Sequence, residues 1–343
     1  MVERQNRYLW LDALKGYAIF IVMLSHTLPY NAIMGILYSG FMPLFFIASG
    51  YTDNKFLSLD VVIRKTKRLL IPYFIYGLIC TFFFDMIKNG KAYQGGYVNE
   101  WIGLLYARFC LYPYGEENNL YFLPVEATSP LWFLPALYIG FLVYYIFKKI
   151  SLNENQLYIL YGGAIILSLF LSKLPILLPW SLDVAFIVAS FIFLGTKIRK
   201  LSEKAMNIKQ HFIIAISLCA YIFLAQYNGL VNLSVREFGK FDYLSIFIIV
   251  AIGITYFIAV AGLFCFVPKI IAKIFSWIGH LSLRLMCIQM PIFFVVGKVL
   301  KLCDISDLIV VAFIKLLIVL TIAYVIDIAF SKMQKSFSVV KYL

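Results

Sequence analysis

An apolar stretch near the start of the sequence carries three ionisable residues. The segment DALKGYAIFIVMLSH, residues 12–26, holds Asp12, Lys15 and His26 among residues that suit lipid. On an α-helix the spacing from Lys15 to His26 returns to within about 20° of the same face, about 16 Å along the axis. Asp12 lies three positions before Lys15, close enough to pair with it. The spacing therefore predicts that Lys15 and His26 face the same place.

Lysine would bring a fixed positive charge to that place, and histidine a group that titrates near neutral pH. Ionisable groups within a membrane span are costly and usually face the bundle interior or a watery cavity. Two structural alternatives stay open. Asp12 and Lys15 could form an interfacial pair that reaches the membrane surface, and His26 could be a hydrogen-bonded structural residue. The shared face favours a functional role for Lys15 and His26.

Two further stretches suit a ligand or a close helix contact. In FFIASGYT, residues 45–52, the small residues permit either tight helix packing or the approach of a ligand to the backbone. The residues of interest there are Ser49, Gly50 and Tyr51. In RKTKRLLIPYF, residues 64–74, four cations precede Pro72, namely Arg64, Lys65, Lys67 and Arg68. This basic stretch suits a ligand with several phosphates, and anchoring to anionic lipid is the alternative.

Isolated residues at the edges of apolar runs are also candidates. Trp132, in SPLWFLPALY, is predicted at the outer membrane boundary, where aromatic residues collect in any case. Asp183 and Lys315 are each either functional or half of an inter-helical ion pair. The sequence has no metal-binding, P-loop or Gly-x-Ser-x-Gly pattern, and its three histidines do not predict a metal centre.

The composition indicates that a membrane surrounds these residues. The chain is 63% hydrophobic and 14% charged, against roughly 45–50% and 25% in soluble domains. No charged residue lies between Asp242 and Lys269, and such unbroken runs predict helical spans rather than the alternating strands of a barrel. The six cysteines form no CxxC pair and are expected to be membrane-packed thiols.

A length of about 20 apolar residues per span predicts an all-α polytopic membrane protein with about ten transmembrane helices. The candidate spans are approximately 9–29, 33–51, 69–87, 131–147, 157–173, 178–196, 211–227, 243–267, 277–297 and 307–330. The stretch 88–130 is predicted to be a long outer loop of the kind that often serves as a lid. The sequence predicts one membrane domain over 1–343, with no separate soluble domain and no cleaved signal segment.

The placement of the basic residues predicts the orientation of the spans. One set of alternate loop ends holds Arg4, Arg7, Lys55, Arg64, Lys65, Lys67, Arg68, Lys148, Lys149, Lys197, Arg199, Lys200, Lys204, Lys209, Lys269, Lys273, Lys332, Lys335 and Lys341. The other set holds Lys88, Lys91, Arg108, Lys173, Arg236, Lys240, Lys298 and Lys301. Because the first set is more than twice as large, the positive-inside rule places both termini in the cytoplasm. This anchoring explains most of the net charge of +13, so no nucleic-acid partner is predicted.

In this order the segments resemble the acyltransferase 3 family of bacterial membrane proteins, in particular its short branch similar to fucose 4-O-acetylases. Lys15 and His26 match the family's Arg/Lys-x10-His motif, and FFIASGY matches its Phe-Phe-x-x-Ser-Gly-Tyr segment. Further matches are WLDALKG (10–16), RLLIPY (68–73), LWFL (131–134) and FIFLG (191–195). The family's Ser-x-x-x-Tyr-x-x-His-x-Pro element departs from its pattern here, since Met286 and Gln289 replace the tyrosine and the histidine.

The resemblance implies an O-acyltransferase of the bacterial inner membrane that moves an acetyl group from acetyl-CoA to a hydroxyl of a cell-envelope sugar. His26 would be the general base, Lys15 would lie between it and the donor, and the basic stretch would hold the phosphates of CoA. The acceptor pocket would include Ser49, Gly50, Tyr51, Trp132, Asp183 and Gln289. No permanently bound cofactor or metal is expected, and the partners are acetyl-CoA, a glycan or lipid-linked sugar, and membrane lipids.

A transporter or flippase of lipid-linked sugars is the alternative from another functional class. Its buried charges would gate a substrate path without making a bond. Transporters often show inverted repeats or paired broken spans, and the sequence shows neither.

Overall fold

The long apolar runs fold as α-helices. The computed structural model describes residues 9–29, 31–53, 55–87, 96–113, 129–150, 153–202 and 210–340. Within these ranges the secondary structure is helical and no strand is formed. The helices are α1 (Leu9–Ser25), α2 (Ala32–Tyr51), α3 (Leu59–Lys65), α4 (Ile71–Ile87), α5 (Gly96–Tyr106), α6 (Phe133–Ile150), α7 (Glu154–Leu171), α8 (Leu182–Ser202), α9 (Gln210–Asn228), α10 (Asp242–Phe266), α11 (Lys269–His280), α12 (Ser282–Leu302) and α13 (Leu308–Val340).

Polar residues just before the apolar runs fix several helix starts. The Asn31 side chain accepts a hydrogen bond from the Met34 N–H at 2.9 Å, and Asn153 accepts one from Gln156 at the same distance. Ser58 caps α3 through the Val61 N–H at 3.3 Å. Each cap satisfies a backbone donor that the first helical turn cannot pair internally.

Eight helices in the described part of the chain are long and apolar enough to cross a membrane, namely α2, α6, α7, α8, α9, α10, α12 and α13. The predicted all-α polytopic class is confirmed to this extent. The two other predicted spans, 9–29 and 69–87, contain α1 and α4, which have 17 residues each.

One predicted span begins later than the sequence indicated. The expected span 277–297 crosses a break at Leu281, where α11 ends and α12 begins. In α11, the Lys269 and Lys273 side chains alternate with exposed apolar residues such as Ile270 and Ile274. An amphipathic helix that directly precedes a span cannot be separated from it by apolar content alone.

The chain divides into two compact units. The larger unit comprises 30–267, and the smaller comprises 1–29 with 268–343. The predicted single domain over 1–343 stays a prediction.

In the larger unit, α2 packs against α8 and α10, while α6 and α7 also pack on α8. At the first of these crossings, a Cβ on Gly50 would collide with the Ile192 carbonyl oxygen, and one on Gly195 would collide with the Ile47 carbonyl oxygen. The two backbones therefore approach each other in a way that only glycine permits. The Phe46 ring stacks on Phe133, with centroids 5.0 Å apart, and completes the core beside this crossing.

In the smaller unit, α1 crosses α11 in the same manner. A Cβ on Gly16 would collide with the Phe275 carbonyl oxygen, and one on Gly279 would collide with the Asp12 carbonyl oxygen. Beside this crossing, α12 packs along α13, and Arg284 forms an ion pair with Asp327.

Candidate functional site

Lys15 and His26 both belong to the smaller unit. Lys15 is half-buried on α1, and His26 is half-buried one residue beyond the end of that helix. The His26 N–H donates to the Met23 carbonyl oxygen at 3.3 Å, so the chain continues in a tightened turn. The predicted orientation of both side chains toward one place stays a prediction.

Asp12 lines a cavity of about 330 Å³ at the start of α1. The other lining residues are Leu9, Lys273, Ser276, Trp277 and His280. The structure therefore places Asp12 among polar residues of α11, while its predicted pairing with Lys15 stays a prediction.

Gln289 is fully buried in α12. Neither its amide nitrogen nor its amide oxygen has a hydrogen-bond partner among the described residues. A buried amide without partners costs about 1–3 kcal/mol, so a polar group retained in this condition fits contact with a ligand.

The basic stretch divides into one half-buried and three exposed cations in the larger unit. Arg64, Lys67 and Arg68 are exposed, whereas the Lys65 side chain is only 18% exposed. Lys65 forms an ion pair with Asp53 at 3.0 Å, and its ammonium lies 3.1 Å from the centroid of the Phe141 ring. Burial lowers the pKa of Lys65 to about 8, although the Asp53 carboxylate acts in the opposite direction.

A π-helical turn over Thr66–Leu70 joins α3 to α4. Pro72 follows it, and proline lacks an N–H and crowds the carbonyl group four residues earlier. A wider turn relieves that clash, and the Ile71 N–H bonds to the Thr66 carbonyl oxygen. Such turns often occur at functional sites, so the motif residue Pro72 shapes the backbone that carries the cations.

A second basic region, not predicted as a site, surrounds a cavity of about 270 Å³ in the larger unit. We call it the basic cavity, and its lining residues are Asp53, Phe56, Tyr144, Lys148, Glu154, Leu157, Phe193, Thr196, Lys197, Arg199 and Lys200. The cations come from the C-terminal turns of α6 and α8. Cations outnumber carboxylates two to one in this lining.

The carboxylates of the basic cavity neutralise only part of its positive charge. Glu154 pairs with Lys197 and with Lys200, the latter at 2.8 Å. Asp53 is 5% exposed and accepts a hydrogen bond from the Tyr145 hydroxyl at 2.6 Å in addition to its bond with Lys65. Asp53 therefore connects the basic stretch to the basic cavity.

Two other cations of the cavity donate to backbone oxygens. Lys148 donates to the Lys55 carbonyl oxygen at 2.8 Å and lies 3.8 Å from the Phe56 ring centroid. Arg199 donates to the Tyr51 carbonyl oxygen at 3.3 Å. The end of the FFIASGYT segment thus reaches this cavity through a backbone atom.

Asp183 belongs to a different charged cluster of the larger unit. Its carboxylate pairs with the fully buried Arg108, lies 3.5 Å from Arg236 Nε, and accepts hydrogen bonds from the N–H groups of Leu178 and Val184. Arg108 and Arg236 also donate to carbonyl oxygens of the surrounding loops. These contacts fit the inter-element ion pair that was one of the two alternatives for Asp183.

The remaining predicted residues pack in the larger unit. Gly50 and Tyr51 are buried and Ser49 is half-buried; Gly50 lies in the crossing with α8, and the Tyr51 ring lies 5.9 Å from that of Phe257. Trp132 is 8% exposed at the end of a short 3-10 turn, Ser129–Trp132, before α6. Most of the predicted outer loop 88–130 lies outside the described residues.

Sequence reasoning missed Asp53 and the assembly of the basic cavity. Lys148, Lys197, Arg199 and Lys200 entered the sequence argument only as cations that orient the spans. The sequence signal that could have indicated this site is Asp53 itself, an acid directly after the FFIASGYT segment in a region otherwise rich in cations.

A family model described as an acyltransferase domain matches residues 8–328. Comparison with curated proteins gives no match, and comparison with solved structures gives none either.

Proposed function

The chain belongs to the acyltransferase 3 family, and from this premise we propose that it transfers an acetyl group from cytoplasmic acetyl-CoA to a hydroxyl of a cell-envelope sugar. The observation that carries the proposal is the family match over nearly the whole chain, which includes Lys15, His26 and the basic stretch. We further propose ten spans, cytoplasmic termini and a location in the bacterial inner membrane. The acceptor would be a capsule, O-antigen, exopolysaccharide or lipid-linked precursor.

In the proposed reaction, His26 acts as the general base. The imidazole accepts the proton of the sugar hydroxyl as its oxygen attacks the thioester carbonyl carbon. The carbon–sulfur bond then breaks, CoA leaves as the thiolate, and the proton passes from the imidazolium to that thiolate. Lys15, on the helix that precedes His26 and about 16 Å from it along the axis, would contact the donor on its way to the reaction centre.

Replacement of the proposed base tests this function. We expect His26→Ala to abolish acetate on the purified envelope polysaccharide, measured by proton NMR, while the protein accumulates normally in the membrane. His211→Ala is the matched control, because His211 is exposed on α9. Undiminished acetate in the His26 variant would overturn the role of this residue.

An assay with purified protein separates acyl transfer from transport. Incubation with acetyl-CoA and an acceptor glycan should release free CoA in an acceptor-dependent manner. Absence of both CoA release and CoA binding would favour the transporter alternative.

A further inference from the structure

The charge of the basic cavity fits a ligand with negative charge. Its lining contains Lys148, Lys197, Arg199 and Lys200, against only two carboxylates. One of these, Asp53, also pairs with Lys65, a further cation that lies outside the lining. The remaining excess of positive charge in a partly enclosed space would attract an anion such as a phosphate group.

Aromatic side chains give the same cavity apolar walls. Phe56, Tyr144 and Phe193 line it, and the Lys148 ammonium lies over the Phe56 ring. Lys197 lies 5.0 Å from the Phe193 ring centroid, and its side chain is only 14% exposed. Cations held against rings beside a cavity can contact both the phosphate and the planar base of a nucleotide.

The size of the cavity limits what can enter it. Its volume of about 270 Å³ lies just below the roughly 300–1,000 Å³ that is usual for small-molecule sites. It therefore suits one end of a long ligand rather than the whole of CoA. The nucleotide end of CoA, an adenosine with a 3′-phosphate, combines a planar base with a doubly charged group.

Simple membrane anchoring would also place cations at these helix ends. Lysine and arginine in the last turn complement the helix dipole and orient spans, without any cavity. Lys149 has this arrangement, since it is exposed in the last turn of α6 and does not line the cavity. Lys148, its neighbour in sequence, is half-buried in the lining, so the pair offers a direct comparison.

We propose that the basic cavity binds the 3′-phosphorylated adenosine of CoA, with Lys148, Lys197 and Arg199 as its phosphate ligands. This inference rests on the proposed use of acetyl-CoA and assigns the donor a binding site that the sequence did not predict. The diphosphate of the same molecule would then extend toward the basic stretch, which Asp53 connects to the cavity through Lys65.

Replacement of Glu154 tests the proposal, because it is expected to increase the affinity for CoA. Its carboxylate pairs with Lys197 and Lys200 and so competes with a phosphate for the same cations. Glu154→Gln should therefore tighten binding of CoA, whereas a residue with only a structural role would not strengthen binding when it is replaced.

The experiment measures the affinity of the purified full chain for CoA and for dephospho-CoA, which lacks the 3′-phosphate, by calorimetry in phosphatidylcholine nanodiscs. We expect the wild type to prefer CoA by about tenfold, as one charge-assisted hydrogen-bonded contact provides. Lys197→Gln and Lys148→Gln should each remove most of this preference. Lys149→Gln should leave it unchanged.

The possible outcomes separate this inference from the proposed function. If the wild type binds CoA and dephospho-CoA equally, or if Lys148 and Lys197 variants keep the preference, the cavity is not the nucleotide site although the donor assignment stands. If the wild type binds neither molecule and releases no CoA from acetyl-CoA, the proposed function itself fails. The same measurements in nanodiscs with added phosphatidylglycerol test binding of a lipid headgroup. If the variants change phosphatidylglycerol binding but leave CoA binding intact, the cavity binds a lipid headgroup and the inference is overturned.

Discussion

Two charged clusters of the larger unit differ in how deeply their charges are buried. Asp183 is fully buried, and two arginines and two backbone N–H groups surround its carboxylate. The basic cavity has the same two-to-one ratio of cations to carboxylates, but it is partly open, and its four cations are half-buried or exposed. The first cluster joins loops and has no surface left for a ligand, whereas the second has charge and space for one.

The difference teaches that a charge within a membrane protein is informative through its partners rather than through its presence. Asp183 was a functional candidate in the sequence because buried charges usually mark function. The carboxylate of Asp183 has four partners within the protein, which fits a structural role. Lys148, which the sequence marked only as a cation at a helix end, lines a cavity.

The largest expected effect concerns the buried cluster of Asp183, Arg108 and Arg236. Asp183→Ala leaves Arg108 buried without its carboxylate, and we expect a loss of about 3–5 kcal/mol in the free energy of unfolding, measured by denaturation in detergent. Asp242→Ala is the control, because its ion pair with Lys173 is largely exposed and should contribute at most about 1 kcal/mol. An Asp183 variant of normal stability that has lost acyl transfer would instead support the acceptor role predicted from the sequence.

A smaller effect is expected at the α2 and α8 crossing, which fixes the backbone next to the basic cavity. In Gly50→Ala the new methyl group collides with the Ile192 carbonyl oxygen, so the helices must separate. We expect a loss of about 1–3 kcal/mol of unfolding free energy, with weaker CoA binding because Tyr51 and Arg199 shift. Gly162→Ala in α7 meets open space and should not destabilise the protein. Equal stability of the two variants would contradict a packing role for the FFIASGYT segment.

The sequence predicted the helical class and most spans because apolar runs of membrane length have few alternative structures. It also predicted that Gly50 permits either packing or ligand approach, and the crossing with α8 shows the packing directly. It could not predict the basic cavity, because Lys148 and Lys197 are distant in sequence and only the packing of α6 and α7 on α8 brings them together. Nor could it distinguish the environment of Asp183 from that of Asp53, since both are single acids near span ends.

In the smaller unit, Gln289 is a buried polar group whose amide atoms have no hydrogen-bond partner among the described residues, in contrast to the bonded carboxylate of Asp183. Gln289→Leu removes a buried amide that has no hydrogen-bond partner in the described part of the chain, so we expect the free energy of unfolding to rise by about 1 kcal/mol. If the amide contacts the acceptor, acyl transfer should fall in the same variant. Met286→Leu, at a buried apolar position one turn earlier, should change neither quantity appreciably. A Gln289→Leu protein that is stabilised and fully active would exclude the predicted acceptor role.

Lys65 shares a feature with each cluster, because it is paired with an acid, Asp53, and yet is partly exposed. The smallest effect is expected from its titration. Burial lowers the pKa of Lys65 to about 8, so the ammonium is charged below that pH and loses its proton above it. If this charge attracts the phosphates of CoA, the KM for acetyl-CoA should rise a few-fold as the pH increases from about 7 to about 9.

Lys65→Arg is the control, because arginine keeps its charge throughout this range, and the KM of this variant should vary less with pH. Its KM at neutral pH can differ from that of the wild type, since the guanidinium packs differently on Phe141. Parallel pH profiles for the two proteins would mean that the charge on Lys65 only stabilises its ion pair with Asp53. Lys65 would then have a structural role, like the arginines that surround Asp183.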